Sequence, residues 1–111
     1  MRHFEWNAME VKEISEIIER ELNGDLSLSN AHGVDLKRCL VTPSLQTYDN
    51  FDQTETLRLW LVLEEMPDDK SGYKIAFDEK SKMFGLATGS FGEHDMFLGF
   101  YGTFLETLEA M

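Results

Sequence analysis

An α+β fold is predicted by three features of the chain. These are an amphipathic helical segment near its start, a strictly alternating apolar stretch near its middle followed by two shorter ones, and a return to helical spacing at its end. The expected architecture is a single domain over residues 1–111, with an antiparallel meander of about four strands. An N-terminal and a C-terminal helix are expected to pack on one face of that sheet.

The first helix is the clearest element. Val11, Ile14, Ile17, Ile18 and Leu22 recur at helical spacing, while Lys12, Glu13, Glu16, Glu19 and Arg20 take the opposite face. Asn7 with Glu10 three residues on forms a capping-box pattern, and Trp6 with Val11 is spaced for a hydrophobic staple. Asn23-Gly24 supplies the stop, because both residues tolerate the left-handed conformation past a helix end. Burying the apolar stripe contributes about 1.5–3 kcal/mol for each large side chain.

Ser27, Ser29, Asn30 and Gly33 break any period, so residues 25–35 read as a loop. A strand is expected from Leu36 to Thr42, ended by Pro43. The best strand runs from Thr56 to Glu65: Leu57, Leu59, Leu61 and Leu63 alternate with Arg58, Trp60, Val62 and Glu64. A period of two cannot form one helical face, so it outweighs the helical propensity of leucine. Turn chemistry at residues 67–72 leads to Tyr73, Ile75 and Phe77. A second turn at residues 78–82 leads to Phe84, Leu86 and Thr88, completing a hairpin. The four leucines are expected to line the face that the two helices cover. From Phe97 onward, Phe100, Tyr101, Phe104, Leu105, Leu108 and Met111 follow helical spacing, with Gly99 and Gly102 weakening the first turn.

The formal net charge is −11, with −4 over residues 1–25 and −5 over residues 49–70, and no basic cluster exceeds Lys37-Arg38. Such a field repels polyanions, which argues against nucleic acid as a partner. The longest unbroken apolar run, Leu59 to Leu63, is far short of the about 20 residues that cross a bilayer, so no membrane partner is expected. The acidic N-terminus does not resemble a secretory leader, and the single cysteine, Cys39, cannot close an internal disulfide. The expected location is cytoplasmic.

Few residues offer chemistry. No histidine among His3, His32 and His94 has another His or Cys at ligand spacing, and the Asp49, Asp52, Glu55 run misses the calcium-loop pattern. No metal and no cofactor is therefore expected. Cys39 reads as a small buried thiol. The glycine-rich stretch 85–92 lies between a strand and a helix as phosphate loops do, but it lacks the Gly-Lys-Ser/Thr ending. His94, flanked by Glu93 and Asp95, is a candidate polar site, since a carboxylate beside an imidazole can orient a general base. The same tripeptide also makes an ordinary polar helix start.

Trp60, with Arg58 and Val62, alternates opposite the leucine row. It is therefore expected on the sheet face away from the helices, where it would form an interface with a partner or a second copy of the chain. In size, acidity and α+β architecture the chain is similar in general style to bacterial immunity proteins, which neutralise toxin domains. That resemblance implies an inhibitor of a basic protein. The leading expectation is thus a non-enzymatic protein-binding module, its acidic surface steering a basic partner. One alternative is a small enzyme or ligand-binding domain with a cleft near residues 89–95. The other is a structural subunit of a larger assembly.

Overall fold

The structure, a computed structural model, describes residues 9–30, 32–51, 55–68, 71–89 and 93–111. In chain order the elements are α1 (Val11–Leu22), α2 (Leu36–Cys39), β1 (Leu40–Asn50), β2 (Thr56–Met66), β3 (Ser71–Asp78), β4 (Met83–Thr88), β5 (Asp95–Gly102) and α3 (Phe104–Ala110). The α+β class, the antiparallel sheet and the helices toward both ends are as the sequence predicts.

The sheet differs in extent and closure. It has five strands rather than about four, and they close into a barrel in the order β1-β2-β3-β4-β5. Sequential neighbours pair antiparallel, and a short parallel ladder from Tyr48↔Asp95 to Asn50↔Phe97 joins β1 to β5. The extra strand is the segment from Asp95 to Gly102, which helical spacing assigns to the start of the last helix. Gly85 explains how β5 comes so close: a Cβ there would stand 2.3 Å from the Gly99 carbonyl oxygen and 2.5 Å from the Phe97 ring. Only glycine fits at that approach.

The true start of α3 is a capping box. The Thr103 hydroxyl accepts from the Glu106 amide at 3.1 Å, and the Glu106 carboxylate accepts from the Thr103 amide at 2.9 Å. Glu21 of α1 reaches the same turn, its two carboxylate oxygens accepting from the Phe104 and Leu105 amides at 3.0 Å each. Amides left over at a helix start thereby tie the two helices together.

Two other boundaries shift. Met9 and Glu10 are not helical and α1 begins at Val11, with the Glu13 carboxylate accepting from the Glu10 amide at 2.9 Å. The cap thus sits three residues later than the Asn7 reading, and Asn7 and Trp6 lie outside the described residues. Leu36–Cys39 is a helical turn capped by Asp35, so the strand expected from Leu36 starts at Leu40. The stop at Asn23 and Gly24 holds, with φ of 54° and 74°.

The larger correction concerns the faces of the sheet. Directly opposed residues share a face, and the register links Trp60 to Phe77 and Phe84, and Leu63 to Ile75 and Leu86. That row packs in one cluster with Ile14, Ile18 and Leu22 of α1, Leu36 and Cys39 of α2, and Phe104 and Leu108 of α3. The helices therefore cover the Trp60 side of the sheet. Leu57 and Leu59 point the other way, into the barrel, with Tyr48, Ala76, Ala87 and Phe97. The leucine row itself is split. A bulge between Leu61 and Leu63 sets two residues of β2 against one of β3, so Val62 and Leu63 both reach the helix side. Small residues at Ala76, Gly85 and Ala87 let five strands curl around a narrow interior.

Candidate functional site

The interior row continues past the leucines into polar residues. Glu64 and Lys74 are directly opposed on β2 and β3, and each is only 4% exposed. Charged side chains are rarely buried so deeply unless they are paired. The Lys74 ammonium is paired with the Asp95 carboxylate, reaching across the barrel to the first residue of β5. The barrel geometry places Asp95 beside Tyr48, its ladder partner on β1.

These groups meet at a cavity of about 570 Å³ whose lining includes Tyr48, Leu61, Glu64, Lys74, His94 and Asp95. The described β1–β5 ladder begins at Tyr48, and residues 45–47 of β1 border the opening. Leu45, Arg58 and Glu93 complete its rim. Its volume is that of small-molecule pockets, and its lining is mainly polar, with Leu45 and Leu61 the aliphatic part.

Tyr48 is the most unusual member. It is 1% exposed, and its hydroxyl makes no hydrogen bond among the described residues. Buried phenols ordinarily find a partner, because leaving one unmade costs about 1–3 kcal/mol. Burial pushes its ionisation well above the ordinary tyrosine range, and the Asp95 and Glu64 carboxylates push it further. The hydroxyl is thus a neutral group, able to donate and to accept.

The sequence-derived polar site falls at this cavity. Glu93, His94 and Asp95 all line it. Asp95 is bound to Lys74, while His94 Nδ1 lies 3.3 Å from Asp49 Oδ1 and its Nε2 lies 3.9 Å from Glu93 Oε1. The tripeptide leads into a strand, not a helix, with Asp95 as the strand's first residue. Of the Asp49, Asp52, Glu55 run, Asp49 takes part here as the partner of His94, and Asp52 lies outside the described residues, as do residues 90–92 of the glycine-rich stretch. No group of His, Cys, Asp and Glu suited to a metal ion occurs among the described residues.

The sequence-derived interface is dispersed. Val62 is fully buried in the helix-side core and offers no surface to a partner. Trp60 is half-buried against the same core, and its indole Nε1 donates to Glu79 Oε1 at 2.8 Å. Arg58 is exposed and lines the cavity instead. The physical reason is the reversal of faces, since the residues expected on an open sheet surface lie under the helices. Cys39 sits at the end of α2, its thiol donating to the Glu65 carbonyl at 3.5 Å, and burial pushes its ionisation up.

Tyr48, Glu64 and Lys74 were not evident as site residues from spacing. The signal was present, though. A strand such as Tyr73-Lys74-Ile75-Ala76-Phe77 carries one charge among apolar residues on both sides, as a strand buried on both faces does. No described helix is long and apolar enough to cross a membrane. No family model, no curated protein and no solved structure matches this chain.

Proposed function

We propose that this chain is a small-molecule-binding domain, with its site in the barrel cavity between β1, β2, β3 and the start of β5. The observation that carries the reading is the Tyr48 hydroxyl, buried without a hydrogen-bond partner among the described residues at a cavity it shares with Lys74, Glu64 and Asp95. A polar group held that way is stabilised when a bound molecule supplies the missing bond. Backbone correlation spectra recorded with a library of small polar fragments test it. Saturable shifts confined to residues 45–48, 61, 64, 74 and 93–95 are expected, whereas shifts absent throughout the library, or scattered over the surface, overturn it.

A second reading is a protein-binding module for a basic partner, an immunity-like inhibitor among its forms. It draws on the net charge of −11 and on the adjacent Phe100 and Tyr101 of β5, exposed by 37% and 48%. Salt-sensitive capture of a basic protein, lost on Tyr101→Ala, is its expected signature. Capture unaffected by salt and by that substitution counts against it.

A further inference from the structure

The chemistry of the cavity lining restricts what it can hold. This step rests on the small-molecule reading above. We propose that the pocket takes a small primary amine in its ammonium form, the nitrogen donating to the Tyr48 hydroxyl oxygen and to the Asp95 and Glu64 carboxylates.

Three carboxylates, Glu64, Glu93 and Asp95, line the cavity against two cations, Lys74 and Arg58. Lys74 is spoken for, its ammonium bound to Asp95, and Arg58 stands exposed at the rim. An incoming anion would face an excess of carboxylates in the lining. An incoming cation finds acceptors to spare, because a carboxylate offers about four acceptor sites and one lysine does not exhaust them. The Asp95 and Glu64 carboxylates both raise the ionisation of the Tyr48 hydroxyl, so each adds negative potential where the ligand nitrogen would sit. A neutral phenol oxygen can accept from an ammonium, and the bond is charge-assisted. Leu45 and Leu61, also in the lining, give a hydrocarbon body something to pack on. The fit is to an amine with a compact apolar body, rather than to a polyamine or an anionic metabolite.

Three nearly isosteric probes separate the alternatives: cyclohexylammonium, cyclohexanol and cyclohexanecarboxylate, titrated at fixed salt and followed by backbone correlation spectra. The ammonium is expected to bind about tenfold tighter than the alcohol, with the carboxylate weakest. Tyr48→Phe and Glu64→Gln are each expected to lower the ammonium affinity at least about fivefold. Glu16→Gln, the same charge change on the exposed face of α1, is expected to leave it within about twofold. If the alcohol or the carboxylate binds tightest at the cavity, the amine assignment falls while the small-molecule reading stands. Equal losses in Glu64→Gln and Glu16→Gln show general charge attraction and also overturn the assignment. If none of the three shifts the cavity residues at tens of millimolar, the amine assignment falls, and the fragment library then decides the small-molecule reading. Tyr48→Phe keeps the test decisive should Glu64→Gln fail to fold.

Discussion

The two faces of the barrel wall are built from the same strands and do different things. On the helix side, Trp60, Ile75, Phe77, Phe84 and Leu86 form a large-residue row, with Phe77 and Phe84 rings 4.6 Å apart and Phe84 edge-on to Phe104 at 5.7 Å. On the interior side the neighbouring positions hold Glu64, Lys74, Ala76, Gly85 and Ala87. The first row is tightly packed apolar matter. The second mixes small residues with Leu59 and Phe97, and its charged members Glu64 and Lys74 line the cavity. One residue of offset along a strand therefore separates what holds the barrel to its helices from what gives it a site.

The comparison is broken most readily from the packed side. Phe77→Ala removes a fully buried ring between Trp60 and Phe84, and is expected to cost about 3–5 kcal/mol in urea unfolding. A loss under about 1 kcal/mol would mean the helix-side row is not the main core. On the interior side, Lys74→Met leaves the Asp95 carboxylate without its ammonium. A fully buried pair broken this way costs about 3–5 kcal/mol, but the Asp95 side chain is 36% exposed, so about 2 kcal/mol is expected. Combining Lys74→Met with Asp95→Asn should recover part of that loss. If the double variant is as unstable as the sum of the two singles, the pair is not coupled.

Next in size is the link that brings α3 onto the barrel. Thr103→Ala removes the cap, and about 1 kcal/mol of stability is expected to go with it. Thermal unfolding followed by circular dichroism measures this. The same change should leave fragment binding at the cavity untouched, because Thr103 has no place in the lining.

How much of this was legible in the sequence depends on which residues carry the signal. The α1 stripe at Ile14, Ile18 and Leu22 and the strands β2 to β4 follow from spacing alone, since amphipathic and alternating patterns report local periodicity, while Val11 of the same stripe stands exposed. Which face of a two-faced strand the helices cover is not local. Leu57 and Leu59 look like the core row and Trp60 looks like the outlier, yet both faces of β2 are buried, so alternation could not rank them. The bulge at Val62 adds a phase change that no period reveals. At the C-terminus, aromatic residues at helical spacing masked a strand, although the Thr103-x-x-Glu106 capping box marked the real helix start. His94, Glu93 and Asp95 stood out by composition, but their neighbours in the cavity come from β1, β2 and β3. Long-range pairing joins them, and spacing does not encode it.

The smallest expected effect is the sharpest. Tyr48→Phe deletes a buried hydroxyl that has no hydrogen bond among the described residues, so at neutral pH stability should change by no more than about 0.5 kcal/mol, or rise. At alkaline pH the two proteins should part. The folded-state ionisation of Tyr48 is raised, so above the ordinary tyrosine value of 10.0 the unfolded chain releases that proton while the folded chain keeps it. The folded state then binds more protons, and stability falls as pH rises from about 10. The Phe variant lacks this term, so its stability should decline less steeply above pH 10 in urea unfolding across that range. Parallel decline would mean the phenol is not held protonated by its surroundings. A large loss at neutral pH would mean its hydroxyl serves the fold, and the separation between a packed face and a binding face would then fail at the residue where it matters most.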